Sequence, residues 1–251
     1  MGEGIAGSKL SMGKQQQISP FLLVAFSLVI ALFVFRHYGG SIWGPVKLKL
    51  EGKRTVSDVL SSLEPGMYQR FENLGDLTDG QPIAILAFKE EKNIELWKQE
   101  EGIWKFIKDY PFTAYSGELG PKLREGDLQI PEGLYKVEYL NPNSFYHLSL
   151  KIDYPNSFDR HKAKTENRSR LGDDIFIHGS LVTVGCIPVG NESIEEIFYL
   201  IAKNGYPNTI VIISPYDMRK KSKTLEIEGV TWEEELYYSI ATKLKNFSLS
   251  E

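Results

Sequence analysis

His178 and Cys186, the only cysteine of the chain, lie eight residues apart. A fully extended segment of that length would separate them by about 26 Å, so they meet only if the chain doubles back. Gly179 directly follows the histidine and Gly185 directly precedes the cysteine, and glycine permits the tight turns that such a reversal needs. An imidazole that takes the thiol proton is a common means of making a nucleophilic thiolate. The segment therefore contains the parts of a Cys–His acyl-transfer site, with room at Gly185 for backbone amides to hold an oxyanion.

The composition limits the classes of protein to consider. The chain has 251 residues, of which 42% are hydrophobic and 12% aromatic. That content can bury the core of one large domain, or of one domain with appendages. The net charge of −4 provides no basic field for a phosphate backbone, so we expect no nucleic-acid partner.

The N-terminal region contains an apolar run from Phe21 to Phe35, interrupted only by Ser27 and followed by Arg36. We expect an uncleaved membrane anchor over residues 18–36. The run rises only about 22 Å as a helix, so a secretory signal peptide is the alternative. No Ala-x-Ala cleavage pattern follows the run, which favours the anchor, and a buried core helix is a third interpretation.

Export changes the meaning of the lone cysteine. Thiols in oxidising compartments are usually paired, and a single cysteine forms no intramolecular disulfide. Cys186 is then a buried inert side chain, an intermolecular bridge or a reactive nucleophile.

The remaining chain divides by composition into regions of different pattern. Thr55 and Asp58 have capping-box spacing and predict a short helix ending at Pro65-Gly66. Ser193 with Glu196, and Thr231 with Glu234, predict the starts of two further helices by the same spacing. The predicted regions are the tail and anchor, a linker with a small helical entry, a strand-rich domain and a C-terminal helical extension, at residues 1–40, 41–80, 81–222 and 223–251.

Short β-branched and aromatic runs separated by turn residues predict the strands. The predicted strands lie within residues 82–88, 93–99, 102–110, 112–117, 132–140, 145–154, 174–179 and 208–214. The first four form an antiparallel meander. The expected fold class is mainly β with α (α+β), a sandwich or partly open barrel with flanking helices, preceded by the N-terminal membrane anchor.

Several blocks resemble the L,D-transpeptidase catalytic domain family, which has the YkuD fold. "IHGSLVTVGCIPV" is similar to the family signature, in which a His-Gly pair precedes a Ser/Thr-x-Gly-Cys element, and "PEGLYKV" resembles its Pro-x-Gly-x-aromatic strand. The match is best with the YafK-like branch of Gram-negative cell envelopes. Further matching blocks are "FKEEKNIELW", "YSGELGPKLREGDLQIPEGLYKV", "LNPNSFYHLSLKIDYPNSFDR" and "SIEEIF". The resemblance covers about residues 83 to 203 and implies that residues 81–222 form a catalytic domain.

The resemblance implies a mechanism and a location. Cys186 would attack the carbonyl at the L-centre of meso-diaminopimelate in a peptidoglycan stem peptide and form a thioester, with His178 as general base and then general acid. Backbone amides around Gly185 and Cys186 would form the oxyanion hole. A carbonyl near Gly179 or Ser180 would hold the imidazole tautomer, and Thr183 stands at the Ser/Thr position of the signature. The domain would lie in the periplasm, secreted or held by a single pass through the inner membrane.

One departure from the family pattern concerns the second substrate. Many transpeptidases have His before the Gly-Cys pair and Arg or Asn shortly after it, whereas this chain has Val184 and Ile187-Pro188. An amine that resolves the thioester would make a cross-link or attach a protein to the wall, and water would make the enzyme a hydrolase. The YafK-like branch is associated with removing a lipoprotein from diaminopimelate, which favours hydrolysis and a wall-attached lipoprotein as partner.

Other polar residues are candidates with ordinary alternatives. By the resemblance, Tyr146 and His147 on a predicted strand, and Arg170 before Gly172, would bind substrate, Arg170 through a carboxylate. Arg170 is as well explained by a surface ion pair with Asp173 or Asp174. The basic run Arg160 to Arg170 is most simply a solvated loop and, less simply, a surface that attracts anionic stems. Lys122 and Arg124 are solvated charges or part of a substrate-side loop.

We expect no cofactor and no metal, because His147, His178 and Cys186 lack the spacing of metal ligands. Two other classes of function remain open. A non-catalytic wall-binding module would keep the fold without an activated thiol, and an unrelated cysteine peptidase would cleave ordinary L-L peptides.

Overall fold

The computed structural model describes residues 26–29, 31, 52–223 and 225–248. The chain divides into two compact units, Met1–Tyr38 and Gly39–Glu251. In the first unit, residues 26–29 and 31 are helical and exposed. The rest of the predicted anchor at 18–36 lies outside the described residues. Within the described part of the chain, no helix combines the length and the apolar content needed to cross a membrane.

The second unit contains an eight-stranded mixed sheet with helices on both faces. The strands are β1 (Ile83–Phe88), β2 (Asn93–Glu100), β3 (Ile103–Pro111), β4 (Gly133–Asn141), β5 (Ser149–Ile152), β6 (Phe176–His178), β7 (Ile187–Pro188) and β8 (Ile210–Ser214). The helices are α1 (Val56–Arg70), α2 (Leu74–Leu77), α3 (Ser157–Thr165), α4 (Asn191–Asn204) and α5 (Glu233–Leu244), with a 3-10 turn at Tyr206–Asn208. The spatial order of the strands is β3-β2-β1-β8-β4-β5-β6-β7.

Strand β1 is buried on both faces, which places it at the centre of the fold. Its odd-numbered residues, such as Ile85, belong to a core that includes Ile197 and Ile201 of α4. Its even-numbered residues, such as Leu86, belong to a second core that includes Ile240 of α5. Successive side chains of a strand point to opposite faces, so the two cores lie on opposite sides of the sheet. The C-terminal helix is thus part of the packed unit.

The sheet is a single curved layer, so of the two expected arrangements, a sandwich or a partly open barrel, the structure has the partly open barrel. Strand β4 pairs with β8 through residues 133–136 and with β5 through residues 137–141, with a register shift between Val137 and Tyr139. A bulge of this kind bends and twists a strand. The β1–β2–β3 meander is confirmed, while β1 with β8 and β6 with β7 pair in parallel. The result is an α+β half-barrel with flanking helices.

Helix α1 begins as predicted and ends later than predicted. The Thr55 hydroxyl accepts a hydrogen bond from the Asp58 N–H at 3.1 Å, and the Asp58 carboxylate accepts one from the Thr55 N–H at 2.7 Å. The helix continues through Pro65 to Arg70. Proline removes one helical hydrogen bond, and the burial of Met67 in the core offsets that loss.

Both helix starts predicted from spacing in the C-terminal third are wrong by a few residues. Helix α4 begins at Asn191 after Gly190, and α5 begins at Glu233 after Trp232, in each case without a side-chain cap. Gly190 has φ +82°, a conformation that glycine adopts at little cost.

Three predicted segments have a different structure. The strand expected at 112–117 is an extended loop, and the strand expected at 145–154 is limited to Ser149–Ile152. The basic run Arg160 to Arg170, predicted as a loop, begins within helix α3, which has a capping box between Asn156 and Asp159. Helix α3 was missed because only Asp159 and Ala163 of its residues are buried, so it has little apolar periodicity.

Candidate active site

His178 ends strand β6, and Cys186 directly precedes β7, the neighbouring parallel strand. Strand β6 pairs with β7 in the register Ile177 to Ile187 and His178 to Pro188. Cys186 directly precedes β7, and its sulfur accepts a hydrogen bond from the Phe176 N–H at 3.4 Å. The chain therefore doubles back between the two residues, which brings the sulfur beside the strand that carries the imidazole.

The Cys186 thiol is protected in this conformation. Its sulfur donates a hydrogen bond to the backbone carbonyl of Asp174 at 3.7 Å. Burial raises the pKa of the thiol, and the Asp174 carboxylate adds to this rise, whereas the Phe176 N–H and the Lys122 ammonium lower it. The thiol is thus protonated at neutral pH.

The His178 imidazole is buried and held by its own backbone neighbour. Its Nδ1 lies 2.5 Å from the carbonyl oxygen of Gly179. A carbonyl only accepts hydrogen bonds, so Nδ1 carries the proton and Nε2 is left as the acceptor. Burial lowers the pKa of His178, which keeps the ring neutral at pH 7. Of the two carbonyls considered from the sequence, Gly179 faces the ring, and the Ser180 carbonyl accepts from the Thr113 hydroxyl at 2.9 Å.

No hydrogen bond joins the imidazole to the thiol. Among the described residues, the hydrogen-bond partners of the sulfur are the backbone groups of Phe176 and Asp174. Hydrogen bonds between catalytic groups are often long or unformed before substrate binds. In the absence of substrate the pair is therefore uncharged and uncoupled.

Two side-chain hydroxyls occupy the amides expected to form the oxyanion hole. The Gly185 N–H donates to Ser116 Oγ at 2.8 Å, and the Cys186 N–H donates to Thr183 Oγ1 at 3.0 Å. The Thr183 hydroxyl in turn donates to the Cys186 carbonyl at 2.6 Å. An oxyanion held by these amides would have to displace one of the two hydroxyls.

The two glycines of the signature are required for different reasons. Gly185 has φ +86°, and a Cβ there would lie 3.2 Å from the Gln129 carbonyl oxygen. A Cβ at Gly179 would lie 2.6 Å from the Tyr146 carbonyl oxygen and 2.7 Å from Asn191 Oδ1. The Asn191 side chain is held there because it accepts a hydrogen bond from the Ser180 N–H at 2.8 Å. Both glycines allow close backbone approach around the site.

Of the three substrate-binding candidates, Tyr146 alone contacts the imidazole. Its ring centroid lies 4.7 Å from that of His178 at an interplanar angle of 37°. His147 is in a turn with φ +78°, not on a strand, and its Nε2 is bonded to Glu195 Oε1 at 2.8 Å. Arg170 forms a surface ion pair with Glu125 at 3.0 Å, and not with Asp173 or Asp174 as expected. Its side chain is 81% exposed.

Two residues of the loop at 112–117 were not among the predicted site residues. Thr113 donates its backbone N–H to the Pro188 carbonyl at 2.9 Å, and Ser116 receives the Gly185 amide. Lys122, for which a solvated charge and a place in a substrate-side loop were equal alternatives, is buried and paired with Asp127 at 2.5 Å, so it is not solvated. These contacts join segments far apart in the chain, so no local spacing marks them.

Within the described part of the chain, no group of three or more His, Cys, Asp and Glu side chains is arranged to hold a metal ion.

Comparison with known proteins places this site in a family. The L,D-transpeptidase catalytic domain (YkuD) family model matches residues 82–213. Two Escherichia coli proteins, from strains K12 and O157:H7, bear the name "Putative L,D-transpeptidase YafK" and are 35% identical over 144 residues. These alignments cover 55% of this chain and 56% of the relatives, so the chain spans about half the length of the curated relatives it matches.

Two solved structures are also similar. The helical cell shape determining protein Pgp2 from Campylobacter jejuni aligns with a TM-score of 0.45 and 24% identity, over 55% of this chain and 49% of that one. Mycobacterium tuberculosis L,D-transpeptidase 1 aligns with a TM-score of 0.31 and 11% identity, over 53% and 62% of the two chains. The family model covers more than half of the chain, and the chain therefore belongs to the L,D-transpeptidase catalytic domain family.

Proposed function

We propose that the protein is a cysteine enzyme acting on peptidoglycan stem peptides that contain meso-diaminopimelate. The observation that carries this proposal is the position of Cys186, directly before β7 and with its sulfur bonded to the Phe176 N–H of the adjacent strand β6, which ends at His178, whose Nδ1 is fixed by the Gly179 carbonyl. This tautomer leaves Nε2 free to accept a proton from the thiol. Family membership supports peptidoglycan as the substrate.

The proposed reaction begins with proton transfer. Substrate binding exchanges the Asp174 carbonyl for His178 Nε2 as the partner of the thiol, and the sulfur attacks the carbonyl carbon at the L-centre of diaminopimelate. The tetrahedral intermediate then breaks its C–N bond, and the leaving amine takes the proton from His178. A thioester on Cys186 remains. A neutral imidazole is the form needed for the first step, which agrees with the lowered pKa of His178.

The second step decides the product. We propose that water resolves the thioester: His178 takes a proton from water, the hydroxide adds to the carbonyl, and the sulfur leaves and regains a proton. The product is a free diaminopimelate carboxylate. The reaction would release a lipoprotein attached to the wall, and the catalytic domain would work in the periplasm of the cell envelope, anchored through residues 18–36 or secreted.

Two other functions are considered. In the first, an amine takes the place of water and the product is a cross-link or an attached protein, but Val184 and Ile187 supply no polar side chain for an acceptor amine. In the second, the fold binds peptidoglycan without catalysis. The observation that favours this second function is that the Cys186 thiol is protonated and bonded to the Asp174 carbonyl, whereas a preformed thiolate–imidazolium pair would favour catalysis.

The test uses the full-length chain with muropeptides and with wall fragments that carry a linked lipoprotein, in water enriched in ¹⁸O. Hydrolysis predicts released lipoprotein and one ¹⁸O atom in the new carboxylate by mass spectrometry. Transfer predicts products larger by the acceptor and free of the label. Identical product masses for wild type and Cys186→Ala would refute an enzymatic function.

A further inference from the structure

A basic cleft lies between helix α3 and the segment 168–173. Its volume is about 630 Å³. Arg160 and Lys164 of α3, with Arg168 and Arg170 of the segment, contribute four cationic side chains to its lining. The chain as a whole is acidic, with a net charge of −4, so this concentration of positive charge is local.

Two of the four cations have an acceptor and two do not. Arg168 pairs with Glu166 at 2.6 Å and Arg170 with Glu125 at 3.0 Å. Among the described residues, the side chains of Arg160 and Lys164 have no ion-pair or hydrogen-bond partner. They lie one helical turn apart, where like charges repel each other and destabilise a helix. Arg160 is also in the first half of α3, where the helix dipole disfavours a cation.

Neither acidic residue of the cleft lining forms an ion pair with Arg160 or Lys164. Glu125 pairs with Arg170, and Asp173, in the segment that faces α3 across the cleft, has no ion-pair partner among the described residues. The two unpaired cations are therefore suited to an external anion, and the fork of an arginine fits a carboxylate.

One wall of the cleft continues along the chain into a residue that contacts the candidate nucleophile. Gly172 and Asp173 line it, and the next residue is Asp174, whose carbonyl accepts the hydrogen bond of the Cys186 thiol. A ligand that touches Asp173 would thus contact the residue next to the one that binds the sulfur. This continuity favours a segment of the substrate over a lipid surface as the occupant.

We propose that the basic cleft binds carboxylates of the stem peptide through Arg160 and Lys164. This inference rests on the proposed function and extends it, because it assigns a carboxylate-recognition subsite to residues outside the Cys–His pair. Arg160 and Lys164 supply specificity and affinity, and they take no part in bond breaking.

The experiment measures binding to the full-length Cys186→Ala protein by titration calorimetry, so that no turnover is needed. The probes are the stem tripeptide L-Ala-γ-D-Glu-meso-diaminopimelate, the same tripeptide with amidated carboxylates, and vesicles containing anionic phospholipid. Arg160→Gln/Lys164→Gln removes both charges, and Arg160→Lys/Lys164→Arg retains them. Lys105→Ala/Lys245→Ala is the matched control, since both lysines are exposed and have no described acceptor.

The inference predicts that the glutamine pair weakens tripeptide binding by about 10-fold or more, while the charge-retaining pair and the control stay within about 2-fold of the parent. Amidation of the probe should cause a similar loss. Unchanged binding by the glutamine pair, no tripeptide binding by the parent, or preference for vesicles would overturn the inference. If any of those results came with Cys186-dependent products in the mass-spectrometry assay, the proposed function would stand without the inference. If the tripeptide bound as the inference predicts but no such products formed, the proposed function alone would be refuted.

Discussion

The Cys186 thiol donates its hydrogen bond to the Asp174 carbonyl at 3.7 Å, and the His178 ring is bonded to a different carbonyl, that of Gly179, at 2.5 Å. Each member of the pair is thus held by backbone. Burial raises the pKa of the thiol and lowers the pKa of the imidazole, so both groups are neutral at pH 7. The thiolate would form only when substrate brings the two side chains together.

This arrangement predicts slow alkylation of Cys186 by iodoacetamide in the free protein. The rate should rise about 10-fold per pH unit and reach no plateau below pH 9, because the pKa of the thiol is raised above its ordinary value of 9.0. His178→Ala should change the alkylation rate by less than about 3-fold and still abolish turnover. A plateau near neutral pH that disappears in His178→Ala would reveal a preformed ion pair instead.

Thr183 is expected to act by positioning the cysteine backbone. Its hydroxyl accepts from the Cys186 N–H and donates to the Cys186 carbonyl. Thr183→Ala should lower kcat/KM by about 10- to 100-fold, whereas Thr183→Ser keeps both bonds and should retain most of the activity. Thr183→Val serves as the control of equal shape, and we expect it to resemble alanine. Equal activity of the serine and valine variants would show that the hydroxyl is not needed.

Gly185 is expected to be needed for more than its backbone conformation. Gly185→Ala adds a Cβ at φ +86°, 3.2 Å from the Gln129 carbonyl, and should lower both stability and activity. Gly229→Ala is a matched control, because Gly229 has φ +76° and no neighbour within 4 Å of a Cβ. Both variants should lose about 1–2 kcal/mol in chemical unfolding from left-handed strain. Full activity of Gly185→Ala would exclude a role for this close approach.

The sequence predicted elements that depend on local signals. The Thr55 and Asp58 pair begins α1, and the apolar run that becomes β8 is buried as expected. The missed helix α3 also has a local signal, since Asn156 and Asp159 form a capping box. The false start at Ser193 arose because its capping-box spacing with Glu196 falls inside helix α4, which begins at Asn191 after Gly190 without a side-chain cap.

The residues of the site that are close in sequence were predicted, whereas its contacts between segments far apart in the chain were not. His178 and Cys186 with their glycines form one short segment, so spacing was enough to predict the reversal of the chain. The bond from Gly185 to Ser116 joins residues 69 positions apart and depends on the packing of a loop that resembled a strand. The burial of Lys122 is a similar case, because a pattern of charges in the sequence does not indicate its ion pair with Asp127.

Asp159 is expected to make stability fall as pH rises. Burial raises the pKa of this carboxyl from 3.8 to about 6, so the folded state binds its proton more tightly than the unfolded state. The stabilisation is complete below about pH 4 and is lost as pH rises to about 6, by about 3 kcal/mol at most. Asp159→Asn should remove this decline. Urea unfolding of both proteins from pH 3.5 to 7 would test it, and parallel profiles would contradict the raised pKa.

The ion pair of Lys89 and Glu132 links the end of β1 to the start of β4 inside the protein. The two charges lie 2.9 Å apart and both side chains are fully buried. Lys89 also donates to the carbonyls of Gly120 and Ile130, which fixes both ends of the loop between them. Burial lowers the pKa of Lys89, and the Glu132 carboxylate opposes that effect.

Removal of one partner should therefore cost more than removal of both. Lys89→Met leaves the Glu132 charge buried without its counter-charge and should lower the free energy of unfolding by about 3–5 kcal/mol. Lys89→Met/Glu132→Gln removes that charge, and we expect it to recover part of the loss, because Gln still accepts from the Gly120 N–H. The exposed pair Lys203 and Glu64 is the control, and Lys203→Met should change stability little. A double variant less stable than Lys89→Met would mean that the two charges do not act as a pair.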